Sequence, residues 1–148
     1  METKIRIKAL DTIEEMLPMF VLIQQLNPSI TLPQYQEYLN NMIANGYSQV
    51  AAFDGDALAG VSGYWISTKI YCGKYLEIDN FIVDESYRNA GIGKSLLDWM
   101  ETKAKEEECK VVLLDAFLMN VKAHRFYYRE GFAVRGFHFV KKLESQNG

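Results

Sequence analysis

Arg88-Asn89-Ala90-Gly91-Ile92-Gly93-Lys94-Ser95 is the stretch on which the reading of this 148-residue chain turns. Before it, Tyr75 to Val83 reads as a strand. After it, Gly91 to about Glu107 carries Ile92, Leu96, Trp99, Met100 and Ala104 on one helical stripe. A helix start exposes unpaired N–H groups and the positive end of its dipole, so anions bind there. Gly91 and Gly93 bring the backbone close to a phosphate with no Cβ in the way. Arg88 and Lys94 can add charge-assisted hydrogen bonds. The pattern matches neither common phosphate loop: Leu96 stands in the place of a dinucleotide fingerprint's third glycine, and the glycine spacing of a P-loop is absent. Taken alone, it is equally a glycine-rich helix cap with no ligand.

Working towards the N-terminus, the Tyr75 strand is preceded by a turn at Cys72-Gly73-Lys74 and by strands at Tyr47 to Phe53 and Leu58 to Thr68. Asp54-Gly55-Asp56 joins those two as a hairpin turn. Before them, Thr31 and Gln34 form a capping box with Pro33 in the first turn. The helix they open has Tyr35, Tyr38, Leu39, Met42 and Ile43 on one face, and Gly46 ends it. Asp11 to Leu26 has apolar residues at helical spacing, but Pro18 kinks that helix or delays its start. Lys4 to Leu10 alternates as a first strand.

Towards the C-terminus, Val111 to Ala116 is a short apolar strand of the buried kind. Asn120 to Glu130 is a helix stopped by Gly131, Phe132 to Leu143 is expected as a closing strand, and 143–148 as a frayed tail. The order β-α-α-β-β-β-α-β-α-β predicts a single α+β domain over 1–148, its mixed and mostly antiparallel sheet flanked by helices.

Hydrophobic residues at 49% and charged residues at 24% are the ordinary balance of a soluble globular chain. A net charge of −3 leaves no electrostatic footprint for nucleic acid, and no apolar run approaches a membrane span. Cys72 and Cys109 have no metal-ligand spacing, so no metal is expected. With no signal-peptide pattern, the expected compartment is the reduced cytoplasm.

Residues 75–93 resemble the acetyl-CoA motif of the GNAT superfamily of N-acetyltransferases. Asn120, Ala123, Phe126-Tyr127 and Gly131-Phe132 resemble that superfamily's other C-terminal motif, in the right order. Small bacterial members carry Ala-His-Arg-Phe-Tyr there, as residues 123–127 do here. The resemblance covers 75–143 and implies a GNAT-like fold with acetyl-CoA as cosubstrate, lodged where the strands at 75–83 and 111–116 splay apart. It implies that backbone groups of Phe81, Ile82 and Val83 hold the pantetheine arm. The turn from Arg88 through Asn89, Ala90, Gly91, Ile92 and Gly93 to Lys94 and Ser95 would take the pyrophosphate. Asn120, Ala123, Phe126 and Tyr127 would line the cofactor. The first two helices would cover an acceptor pocket that Tyr35 and Tyr38 could line, and the assembly would be a homodimer.

Transfer to an amine needs a neutral amine, hydrogen bonds to the carbonyl oxygen, and a proton for the departing thiolate. An alkyl amine with a pKa near 10.4 is protonated at pH 7, so a base or a water chain is required. By the resemblance Tyr127 is the proton donor. Tyr128, about 100° further round the helix, is second to it. Without the motif, Tyr127 and Phe126 would simply pack. Glu77 and Asp79 share a strand face leading to Phe81 and are the candidate bases. The bland alternative is substrate-ammonium binding or a solvated face. His124 reads as a surface or helix-lining residue, and His138 has no evident partner. The expected activity is direct acetyl transfer to a primary amine of a small molecule or protein, and the rival is an acyl-CoA-binding module without catalysis.

Overall fold

The computed structural model describes residues 4–144. They fall into two compact units divided between Leu114 and Asp115. In the first unit, β1 (Ile5–Leu10) leads to a short α1 (Ile13–Met16), a 3-10 turn (Leu17–Met19) and α2 (Phe20–Leu26). Pro18 sits inside that 3-10 turn, so the proline splits the helix instead of bending it. Thr12 and Glu15 cap α1 reciprocally. The Thr31–Gln34 box opens α3 (Leu32–Ala44) as its spacing predicts, with Gln34 N–H donating to Thr31 Oγ1 at 3.3 Å and Thr31 N–H to Gln34 Oε1 at 3.0 Å.

Then follow β2 (Tyr47–Asp54), β3 (Ala57–Lys69), β4 (Gly73–Val83), a 3-10 turn (Glu85–Tyr87), α4 (Ile92–Glu106) and β5 (Val111–Leu114). The five strands lie side by side in chain order. The first four run antiparallel, and β5 runs parallel to β4 from Tyr75–Val111 to Ile78–Leu114. This is the α+β fold with a mixed, mostly antiparallel sheet flanked by helices that the element order implies.

Alternation divides the sheet's side chains between two faces. Met16, Met19, Leu22, Ile23, Tyr35 and Leu39 from α1 to α3 join Tyr47, Ala51 and Val61 of the sheet in one buried cluster. Gly60 and Tyr64 face α4, which buries Ile92, Leu96, Leu97, Met100 and Ala104. A Cβ on Gly60 would come within 3.0 Å of Ile92 Cγ2 and 3.3 Å of Leu96 Cδ1, so the missing side chain lets the start of α4 sit hard on β3.

The second unit contains α5 (Val121–Arg129). Here one expectation fails: residues 132–143 form no strand. Val134, Phe137, Phe139, Val140 and Leu143 are all exposed. An apolar pattern tells what a segment can present, but a strand exists only when a neighbour completes its ladder, and no described residue does so here. Residues 145–148, most of the expected frayed tail, lie outside the described residues. No helix among the described residues is long and apolar enough to cross a membrane.

Candidate active site

β4 carries Glu77 and Asp79 on one face, as alternation requires, opposite Trp65 and Gly63 of β3. Their surroundings differ. Glu77 faces Lys69 Nζ at 3.7 Å in a cross-strand ion pair, whereas Asp79 Oδ2 accepts the Trp65 indole N–H at 3.0 Å. Immediately after Asp79 the register slips: Val61 pairs with Ile82 while Gly63 pairs with Asp79, so β4 holds one extra residue. Asn80 takes it up with φ +55°, a left-handed conformation that asparagine tolerates better than most residues. The ladder to β5 stops at Ile78, and β4 runs on through Phe81, Ile82 and Val83.

The chain then enters the turn that opens α4. Asp84 caps the 3-10 turn by accepting the Ser86 N–H at 3.2 Å, and Tyr87 is tied to Asp54 by a 2.8 Å hydrogen bond. The Ser86 hydroxyl first, and then the Gln25 amide, hold the Asp84 carboxyl below its ordinary range. Asn89 and Gly91 are both left-handed, at φ +68° and +77°. Gly91 is the N-cap, without any side-chain cap, and Ser95 N–H to Gly91 O at 3.0 Å is the first bond inside the helix. The N–H groups of Ile92 and Gly93 precede that bond and point off the helix start. Besides Ser95, other parts of the expected cradle are already engaged: the Arg88 N–H donates to Glu85 O and the Ala90 N–H to Tyr87 O, both at 3.3 Å, and Lys94 Nζ lies 3.3 Å from Asp98.

Asn120, Ala123, Phe126 and Tyr127 come together in the second unit. Asn120 Oδ1 caps α5 by accepting the Ala123 N–H at 3.2 Å. The Tyr127 ring makes edge contacts with Phe126 and Phe132, and burial pushes its hydroxyl above the usual value of 10. Tyr128 is exposed. His124 Nε2 lies 2.7 Å from Phe117 O and ties the loop before the helix. His138, expected to stand alone, lies 3.3 Å from Asp115 in an exposed pair.

A cavity of about 140 Å³ opens within the first unit between α2, α3, β2 and β4. Ile23, Leu26, Ile30 and Met42 form its apolar wall, Tyr35, Tyr38 and Tyr47 its aromatic wall, and Asn27 and Asn80 add amides. Behind it lies a buried polar chain. Gln49 Nε2 donates to Tyr35 Oη and to Tyr47 Oη, both at 3.1 Å; Tyr35 in turn donates to Met16 O at 2.9 Å, and Tyr47 to Asn80 Oδ1 at 3.0 Å. Burial raises both phenols, Tyr35 to about 12. Tyr35 and Tyr38 thus line a cavity as expected. Tyr47, Gln49 and Asn80 escaped the sequence reading, although two signals were present: a glutamine at an inward position of an apolar strand, and an asparagine in the middle of another. Among the described residues no cluster of three His, Cys, Asp or Glu side chains could hold a metal ion.

Residues 14–132 match the profile of the acetyltransferase (GNAT) family. An aminoalkylphosphonate N-acetyltransferase of Salmonella typhimurium is 36% identical over 67 residues, 45% of this chain and 44% of that protein. A spermine/spermidine N(1)-acetyltransferase of Bacillus subtilis is 37% identical over 60 residues, 40% of each. The chain therefore spans less than half the length of these two relatives. The crystal structure of glucosamine-6-phosphate N-acetyltransferase from Arabidopsis thaliana superposes with a TM-score of 0.75 at 19% identity, covering 95% of this chain and 99% of that one. An aminoglycoside N-acetyltransferase in complex with CoA gives 0.83 at 16% identity, covering 97% of both. At those identities the structural likeness is one of fold.

Proposed function

Because this chain belongs to the acetyltransferase (GNAT) family, we propose that it is an acyltransferase that transfers an acetyl group from acetyl-CoA directly to the primary amine of a small molecule. The observation that carries the reading is the uncapped, left-handed start of α4, reached from a β4 that outruns its ladder to β5.

Those features suit a diphosphate and its arm. The Ile92 and Gly93 amides and Arg88 would hold the diphosphate, and a Cβ on Gly91 would meet nothing within 4 Å, so the approach is open. Lys94 would join by leaving Asp98, and the Ala90 amide by leaving Tyr87. The backbone of Phe81, Ile82 and Val83 would pair with the pantetheine amides like a neighbouring strand. With its Oδ1 committed to the helix cap, Asn120 would offer its amide N–H groups. Ala123 and Phe126 would line the arm. Bound acetyl-CoA supplies a thioester carbonyl carbon and a thiol leaving group.

The remaining chemistry falls to protons. A C–S bond breaks, a C–N bond forms, the amine gives up one proton and the sulfur takes one. Tyr127, protonated throughout the neutral range, donates from Oη to the departing sulfur. Asp79 accepts the amine's proton directly or through water, its carboxylate steadied by Trp65. Glu77, paired with Lys69 at 3.7 Å and two residues further from Phe81, is the second candidate. Cys72 and Cys109 are free thiols, as in a reducing cytoplasm, and transfer is direct, with no acyl-enzyme. We read 1–148 as one acetyltransferase domain acting as a homodimer. The test is twofold: calorimetry with acetyl-CoA, expected to show 1:1 binding, and CoA release over an amine panel. Binding without release from any amine would leave a CoA-binding module; no binding would remove the reading.

A further inference from the structure

We propose that the acceptor is a compact primary monoamine with an apolar body, aromatic or branched, seated in the cavity between α2, α3 and β4, and not a polycation. This rests on the transferase reading for its chemistry and deepens it by naming the acceptor class.

Charge comes first. No Asp, Glu, Lys, Arg or His lines the cavity. A polyamine or an amino sugar brings several ammonium groups, and each one taken out of water needs its own countercharge. This cavity offers none along its wall, and the carboxylate next in the chain to Asn80 is Asp79, which accepts the Trp65 indole N–H. One amine can be served there.

Size agrees. A cavity of about 140 Å³ is close to the roughly 150 Å³ apolar cavity that holds benzene. It would seat a ring or a branched chain, whereas a linked pair of sugars would not fit.

The polar groups give the orientation. Neither buried phenol has a proton left for a ligand: Tyr35 donates to Met16 O and Tyr47 to Asn80 Oδ1 on the cavity wall. What remains to meet a ligand is ring surface, second lone pairs on Tyr47 Oη and Asn80 Oδ1, and the neutral polar groups of Asn27, Asn80 and Tyr38. Lone pairs accept from an amine, and electron-rich ring faces attract its positive charge. At the opposite side Leu26 and Tyr38 are about half exposed and form the rim. An amine entering past that rim reaches Asn80 at the bulge of β4, next to Asp79, with its apolar body against Ile23, Ile30 and Met42.

The experiment compares 2-phenylethylamine, spermidine and an aminoglycoside as acceptors for CoA release, and titrates 2-phenylethylamine into the protein by calorimetry without acetyl-CoA. The expected result is at least a tenfold higher kcat/KM for 2-phenylethylamine than for either polycation. Met42→Trp should fill the cavity and Leu26→Trp, at the exposed rim, should obstruct it without threatening the core. Both should weaken 2-phenylethylamine binding at least tenfold and leave acetyl-CoA affinity within twofold. Preference for a polycation, or 2-phenylethylamine binding indifferent to both tryptophans, overturns the inference while the transferase reading stands. Release of CoA with none of the amines, despite bound acetyl-CoA, overturns the transferase reading, and the calorimetric arm then decides the cavity on its own.

Discussion

Tyr47 reaches Asn80 through space that any side chain on Gly63 would occupy, and its hydroxyl donates to Asn80 Oδ1 at 3.0 Å. Two strands separate in sequence thus meet over a third that has been stripped to backbone. The contact fixes the floor of the cavity and steadies the left-handed residue of the β4 bulge.

Gly63→Ala should therefore do more than a glycine substitution in a strand usually does. A methyl there collides with the Tyr47 ring, which is buried and has little room to retreat. The expected cost is about 1–3 kcal/mol, as for overpacking elsewhere, read as a lower urea midpoint. KM for the amine should rise and acetyl-CoA affinity should hold. An unchanged midpoint would show that Tyr47 can move freely.

Tyr127→Phe removes only an oxygen from a ring that keeps its contacts with Phe126 and Phe132. Turnover should fall by about 10²-fold or more if the hydroxyl donates to the leaving sulfur, with acetyl-CoA affinity within twofold. Because burial raises this hydroxyl, the protonated donor persists to higher pH than a free tyrosine would. The wild-type rate should accordingly show no loss from phenol ionisation up to pH 9. Equal loss of turnover and affinity would assign Tyr127 to binding.

Asp79→Asn keeps an acceptor for the Trp65 indole and removes the charge. If Asp79 takes the amine's proton, kcat near pH 7 should drop about tenfold and recover as pH rises towards the amine's own pKa. Glu77→Gln, which loses an ion pair with Lys69, should leave the pH profile in place. Identical profiles for Asp79→Asn and wild type would exclude the role.

Stability at high pH follows from the buried phenols. Burial favours the neutral form of Tyr35, raising it from 10 to about 12. Tyr47 moves in the same direction for the same reason. Above pH 10 the unfolded chain ionises and the folded one does not, so this contribution is complete below pH 10 and is lost as pH rises towards 12. For Tyr35 it amounts to roughly 2–3 kcal/mol. Urea midpoints measured from pH 9 to 12 should fall across that window, and Tyr35→Phe should flatten the decline.

Local signals in the chain were reliable wherever the deciding physics was itself local. The Thr31–Gln34 box, the Gly91 N-cap and the Asp54-Gly55-Asp56 hairpin each depend on groups a few residues apart, so their residue types announce them. The left-handed start of α4 at Gly91 was legible in the same way, although the Ala90–Tyr87 and Lys94–Asp98 engagements could not be read from glycine spacing.

By itself the sequence determined the family, the order of elements in the first unit and which faces of its helices are apolar, because period and capping are properties of short stretches. The tertiary structure alone decided that 132–143 forms no strand, since a ladder needs a partner that no alternation can supply. It alone also decided that Tyr47, Gln49 and Asn80 share one hydrogen-bonded chain. That chain depends on strand register, on the extra residue in β4 and on the side chain Gly63 lacks, and none of these is written at any single position.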